Sequence, residues 1–153
     1  MAAHKSEIGL TAADVGQTQV MTVARMAHHL ERAVLALTRT AMTTRDEFGE
    51  VTMPGQTPQV DSVAFEVVNF ELEQLAALKI GDRVILELSL ERLGRTSARL
   101  CFRMLRPGDI RTCVQGNLSI VSVEPVTRRA SPIPTRLRNV LLDIADEEVP
   151  PLP

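Results

Sequence analysis

The sequence predicts an α+β protein in which one long helix is wrapped by an antiparallel sheet of about five or six strands. Two observations lead to this fold class. Between residues 18 and 42, apolar side chains recur at three- and four-residue steps, which is the period of one helix face. Beyond residue 60 the apolar period changes to two, as in strands with one buried face. A helix laid over the apolar face of the sheet is the simplest packing that buries both.

The length of 153 residues fits one domain, which we expect to span residues 1–145. Residues 146–153 are acidic and proline-rich, and we expect this tail to be disordered. A chain of this size buries roughly two-thirds of its unfolded surface, so it needs no disulfide or structural metal to fold. Cys101 and Cys113 match no metal-binding spacing and are typical of reduced residues in a cytoplasmic protein.

Composition argues against several classes of partner and cofactor. The formal net charge is −2, so nothing attracts the chain strongly to nucleic acid or to an anionic membrane. There is no Trp or Tyr to stack on bases, and no apolar run of about 18 residues to cross a membrane. No phosphate-binding glycine motif is present, and we expect no cofactor. The first ten residues lack the apolar run of a secretory signal, which favours a cytoplasmic location.

The predicted long helix carries a narrow apolar stripe made of Val23, Met26, Leu30, Val34, Leu37 and Ala41. His29 and Glu31 flank this stripe on opposite sides, while Arg25 and His28 lie on the polar face. The helix ends before a turn-rich stretch at residues 43–58, where glycines and prolines break any regular pattern.

Alternating apolar residues predict the strands of the sheet. A weak first strand is expected near residues 7–12, followed by strands at 60–70, 83–91, 98–104 and 111–124. The last strand is long enough to need a bulge, which we place at Gly116. Residues 136–144 predict a short amphipathic helix.

Several short motifs occur in an order and spacing that resemble one family. They are Asp14 with Gly16, Leu30-Glu31-Arg32-Ala33, Ile80-Gly81-Asp82-Arg83-Val84, Arg92-Leu93-Gly94-Arg95-Thr96-Ser97, and Val121-Ser122-Val123 followed by Ser131-Pro132-Ile133-Pro134. Together they resemble the hotdog-fold thioesterases, in the branch typified by 4-hydroxybenzoyl-CoA thioesterase, from about Asp14 to Leu137. The loop before the helix is atypical: Gln17 to Thr22 lacks the aromatic and Asn or His residues that the family places there.

The resemblance implies an acyl-thioester hydrolase that releases a carboxylic acid from a thioester of CoA or of an acyl carrier protein, in fatty acid or polyketide metabolism. In this family the N-terminus of the helix polarises the thioester carbonyl and a carboxylate activates water or attacks the carbonyl. Two carboxylates are candidates here. Glu31 matches the family's helix acid, or it is an exposed helix residue paired with a cation; Asp14 matches the loop acid, or it only caps a turn.

Further polar residues are candidates for the same site. His29 is a candidate proton carrier or hydrogen-bond donor, whereas His28 and His29 diverge by about 100° and do not suggest a metal site. The remaining candidates for substrate binding are Thr18, Gln19, Thr22, Asn69, Arg95 and Arg128. The three helix-proximal residues would contact the thioester oxygen or the attacking water, and the arginines would contact phosphates of CoA or pantetheine. The structural alternatives are helix capping for the three helix-proximal residues, a strand-end turn for Asn69, and ordinary surface exposure for the two arginines.

Two alternative functions stay open at this point. One is related chemistry on an α,β-unsaturated thioester, namely hydration, dehydration or addition of a nucleophile. The other is a non-catalytic protein that binds acyl thioesters. In either case the resemblance implies a homodimer or a dimer of dimers, with the pocket at the subunit boundary, and no nucleic-acid or membrane partner.

Overall fold

A computed structural model describes residues 3–42 and 63–145 of the chain. These residues form five strands and two α-helices, which in chain order are β1 (His4–Gly9), α1 (Val23–Met42), β2 (Ala64–Gln74), β3 (Arg83–Leu93), β4 (Ser97–Leu105), β5 (Val114–Val123) and α2 (Thr135–Asp143). A single 3-10 turn, Ala12–Asp14, lies between β1 and α1. The predicted turn-rich stretch at 43–58 and the predicted tail at 146–153 lie outside the described residues.

The five strands form one antiparallel sheet in the order β1-β3-β4-β5-β2. The predicted antiparallel α+β architecture is therefore confirmed. β1 starts earlier than expected because its pairing with β3 begins at His4, opposite Leu88, and uses backbone groups that do not depend on apolar side chains. β2 runs to Gln74, four residues beyond the predicted end of this strand at residue 70.

The core lies between α1 and one face of the sheet. The apolar stripe of α1 is buried at Met26, Leu30, Val34 and Leu37, all of which are at most 4% exposed. These side chains share one core with alternate residues of the three central strands, including Leu86, Leu88, Leu100, Met104, Leu118 and Ile120. Among the stripe residues whose burial the structure describes, Val23, the first residue of the helix, is the exception at 55% exposed.

Gly116 is not a bulge, so that prediction is wrong. It pairs regularly with Leu72 on β2 and with Phe102 on β4. A Cβ atom at this position would overlap the backbone of Glu71, so the glycine permits a close approach of β2 to β5. The register shifts lie elsewhere, between Val67 and Asn69 on β2 and between Leu90 and Arg92 on β3.

The second helix closes the other end of the core. α2 buries Leu137 and Leu141 and packs against α1 and β3. The residue after it extends the edge of the sheet, because the Leu90 N–H donates to the Ile144 carbonyl at 3.0 Å. No helix in the described part of the chain is long and apolar enough to cross a membrane.

Candidate active site

The loop before α1 is held in place by backbone hydrogen bonds to the segment that precedes β3. The Leu10 N–H donates to the Asp82 carbonyl at 2.9 Å, and the Met21 N–H donates to the Leu78 carbonyl at 2.7 Å. Between these anchors the 3-10 turn brings Asp14 to the start of α1, where its carbonyl accepts the Thr22 N–H at 3.0 Å. The loop therefore delivers a carboxylate to the first turns of the helix.

The Asp14 carboxylate is buried and accepts four hydrogen bonds. Its Oδ2 atom accepts the Thr11 N–H at 2.9 Å and the Thr11 hydroxyl at 3.2 Å. Its Oδ1 atom accepts Arg25 Nε at 3.0 Å and lies 2.8 Å from His29 Nε2. Arg25 and His29 are four residues apart, so they lie on the same face of α1 and reach the same oxygen.

Two opposing effects act on the ionisation of Asp14. Burial raises its pKa, but the hydrogen bonds from the Thr11 backbone, His29 and Arg25 outweigh burial and hold the pKa well below its usual value. Asp14 is thus a stable anion, and its Oδ1 atom holds the imidazole ring of His29 in place.

His29 lies between the Asp14 carboxylate and an open cavity. Its side chain is 16% exposed and lines a cavity of about 480 Å³ between β1 and α1, which we name the β1–α1 cleft. The cleft is lined by residues that include Ser6, Glu7, Ile8, Arg32, Ala36 and Leu86. If Nε2 carries the proton toward Asp14, Nδ1 is left as an acceptor, which is the form that a general base requires.

Glu31 lies on the opposite flank of α1, as the helical spacing predicts. It lines two smaller cavities toward β2, one of about 200 Å³ with Phe70 and Leu118 and one of about 310 Å³ with Phe65 and Arg128. Its side chain is exposed and is not part of the Asp14 cluster. Within one chain the two candidate carboxylates therefore belong to different sides of the helix.

The three helix-proximal candidates have local structural contacts. The Thr22 hydroxyl accepts the Arg25 N–H at 3.2 Å, which is a capping bond at the start of α1. Gln19 has a left-handed backbone with φ of 63°, and its carbonyl accepts the Ile80 N–H at 3.2 Å. Thr18 lies exposed in the turn before it.

The remaining candidates lie apart from the Asp14 cluster. Asn69 is exposed on the sheet face away from α1, opposite Ser119. Arg128 donates to Glu66 through Nε at 2.9 Å, so an ion pair already engages this guanidinium. Arg95 is exposed between β3 and β4, and its carbonyl accepts the Ile133 N–H at 2.9 Å.

Arg25 and Thr11 are the partners of Asp14 that the sequence analysis does not identify. Arg25 lies on the predicted polar face of the helix, and only its four-residue spacing from His29 indicates a shared partner. Residues 3–42 and 63–145 contain no group of three or more His, Cys, Asp or Glu side chains that could hold a metal ion.

Known structures share this fold over nearly the whole chain. The PA5185 protein of Pseudomonas aeruginosa is 20% identical with a TM-score of 0.76, covering 93% of this chain and 91% of its own. A 1,4-dihydroxy-2-naphthoyl-CoA thioesterase from Synechocystis is 12% identical with a TM-score of 0.72, covering 94% and 98%. The SAV2348 protein of Staphylococcus aureus, in complex with CoA, is 10% identical with a TM-score of 0.76, covering 99% and 92%. At these identities the likeness establishes the fold.

The sequence itself also matches a family. No curated protein matches the chain. The family model of the thioesterase-like superfamily, however, matches residues 11–141, a span that contains the Asp14 loop, both helix flanks and every strand except β1. The long helix against a five-stranded antiparallel sheet is the hotdog fold of these proteins, and the chain belongs to the thioesterase-like superfamily.

Proposed function

We propose that this protein hydrolyses an acyl thioester of CoA or of an acyl carrier protein, and that Asp14 and His29 form its catalytic centre. The observation that carries the proposal is the buried Asp14 carboxylate, 2.8 Å from an imidazole that opens into the β1–α1 cleft. A buried anion that orients a partly exposed histidine is a common arrangement for activating water.

In the proposed reaction His29 acts as the base. Its free ring nitrogen takes a proton from water as the water oxygen bonds to the thioester carbonyl carbon. Asp14 stabilises the imidazolium that forms, and backbone N–H groups in the first turn of α1 polarise the carbonyl oxygen. The carbon–sulfur bond then breaks, and the departing thiolate takes the proton back from His29. The products are a carboxylic acid and a free thiol.

The hydrogen bonds of Asp14 favour this division of roles. Both of its oxygens are occupied by donors from Thr11, Arg25 and His29. A carboxylate held in this way is a poor nucleophile, because attack on a carbonyl would require it to give up these partners. Asp14 is therefore the positioning residue, and His29 is the group that contacts the reacting atoms.

We also propose that the protein is a homodimer joined along β2. This strand is an edge of the sheet, Val68 within it is 59% exposed, and Leu75 directly after it is 52% exposed. An unpaired edge with exposed apolar side chains is stabilised by pairing with a second copy. In such a dimer Glu31 faces the subunit boundary from its groove beside β2, where it is the alternative catalytic carboxylate.

The test is thiol release from a panel of saturated and α,β-unsaturated acyl thioesters, each on CoA and on a pantetheine mimic. Mass spectrometry of every reaction distinguishes hydrolysis from addition to an intact thioester. We expect thiol release by the wild type, a strong loss in His29→Gln and Asp14→Asn, and little change in Glu31→Gln. Loss only in Glu31→Gln would move the centre to the dimer boundary. A mass gain without thiol release, or saturable binding without turnover, would replace hydrolysis by the respective alternative function.

A further inference from the structure

The β1–α1 cleft contains an arginine beside His29. Arg32 is three residues further along α1 and lines the same cavity. Residues at this spacing lie on one face of a helix, with about 5–6 Å between their Cβ atoms. A substrate held with its thioester at the His29 ring therefore passes within reach of the Arg32 guanidinium.

The charge of Arg32 is not neutralised within the described residues. Glu7 is the acidic residue in the described lining of the cleft, but its carboxylate lies 2.5 Å from Arg83 and is already paired. Asp14 is enclosed by its own four hydrogen bonds. Arg32 makes no hydrogen bond or ion pair with any residue in 3–42 or 63–145. The cleft thus has an uncompensated positive charge next to the proposed base.

The walls around Arg32 leave space for a ligand group. Ala33 and Ala36 present only methyl groups on the helix side, and Ser6 adds a hydroxyl from β1. The planar fork of an arginine suits the paired oxygens of a carboxylate or a phosphate better than it suits a neutral group. A cavity with this lining selects a ligand that carries an anion close to its reacting carbonyl.

We propose that Arg32 is a specificity-determining residue that binds an anionic group of the thioester substrate. That group is either a carboxylate on the acyl chain or a phosphate on the CoA or pantetheine arm. The proposal rests on the proposed function, because it uses His29 to fix where the thioester lies. It adds a substrate class: acyl thioesters in which an anion lies on the β1 side of α1.

The experiment measures binding without catalysis, so that it is independent of whether hydrolysis occurs. Four inert thioethers serve as probes: S-pentyl and S-carboxybutyl derivatives of CoA, and the same two derivatives of N-acetylcysteamine, which carries no phosphate. Affinities are measured by calorimetry for the wild type, Arg32→Gln and Arg39→Gln. Arg39 is a matched control because it is an exposed arginine of α1 that does not line the cleft.

Each outcome decides the proposal. Weakening by about tenfold in Arg32→Gln for both carboxybutyl probes, with the pentyl probes unchanged, establishes the acyl carboxylate. The same weakening for both CoA probes, with the N-acetylcysteamine probes unchanged, establishes the phosphate. We expect the affinities of Arg39→Gln to stay within about twofold of the wild-type values.

Equal affinities of Arg32→Gln and the wild type for all four probes would overturn the proposal. Failure of the wild type to bind any of the probes would overturn it as well. Binding that depends on Arg32 in a protein that releases no thiol would overturn hydrolysis alone.

Discussion

Oδ1 of Asp14 is shared by two side chains of α1, with His29 Nε2 at 2.8 Å and Arg25 Nε at 3.0 Å. The guanidinium is a permanent cation, so it keeps the carboxylate ionised whatever the state of the imidazole. The imidazole is then held in one orientation by an anion that does not itself change protonation. This relationship assigns separate roles to three residues and leads to the first two predictions.

Replacing His29 is expected to remove the proposed base. We expect His29→Gln to lower kcat for thioester hydrolysis by about 100- to 10 000-fold, the usual contribution of a positioned acid–base group. The measurement is steady-state thiol release, with circular dichroism to establish folding. His28→Gln is the matched control, since His28 touches the His29 ring edge-on but has no hydrogen bond to Asp14. Wild-type kcat in folded His29→Gln would contradict the role of His29.

Replacing Arg25 is expected to loosen the carboxylate that orients the proposed base. Without Arg25 Nε, the Oδ1 atom of Asp14 keeps only His29 Nε2 as a partner, so we expect kcat for thioester hydrolysis to fall by about tenfold in Arg25→Gln. Arg25→Lys retains a cation that can donate to the carboxylate, and it should recover part of the lost activity. The measurement is steady-state thiol release, with circular dichroism to establish folding. Wild-type kcat in folded Arg25→Gln would contradict this positioning role.

The depressed pKa of Asp14 predicts how stability depends on pH. Because the folded pKa lies below the unfolded value of about 3.9, the ionised carboxylate stabilises the fold above that pH, and this contribution is lost as the pH falls toward the folded pKa. We expect Asp14→Asn to lower the free energy of unfolding by about 2 kcal/mol at neutral pH. The two proteins should converge as the pH falls below 3.9. Urea unfolding at a series of pH values measures this, and parallel curves would contradict it.

The close approach of β2 to β5 predicts that Gly116 tolerates no side chain. We expect Gly116→Ala to destabilise the protein by at least about 2 kcal/mol, because its Cβ would overlap the backbone of Glu71. Gly9→Ala is the control, since nothing lies within 4 Å of a Cβ there. It should change stability by no more than about 0.5 kcal/mol. Equal unfolding midpoints for the two variants would show that β2 and β5 can move apart to accept a side chain without a loss of stability.

The proposed dimer predicts a concentration-dependent response to a charge on β2. We expect Val68→Lys to shift sedimentation from dimer toward monomer, since it places an unpaired charge on the strand edge. Val126→Lys is the control, because Val126 is 88% exposed in the loop after β5 and lies outside the proposed contact. A wild type that sediments as a monomer at all concentrations would rule out the dimer.

Much of the fold could be predicted from local pattern. The stripe of Met26, Leu30, Val34 and Leu37 and the alternation in β3 and β4 specify which faces are buried, because a fixed period converts sequence position into direction. The same reasoning correctly placed His29 and Glu31 on opposite flanks of α1. It led to a wrong role for Gly116, because glycine is favoured both at a β-bulge and where two strands approach closely.

The sequence alone therefore determined the helix, the sheet, the family and the identities of Asp14 and His29 as candidates. Only the tertiary structure decided that these two residues meet, that Arg25 joins them, and that Asn69 lies elsewhere. The physical reason is that Asp14 contacts α1 through a loop, whose path depends on backbone bonds to residues near Leu78 and Asp82. No local period encodes such a path, since it is selected by partners more than fifty residues away in the chain.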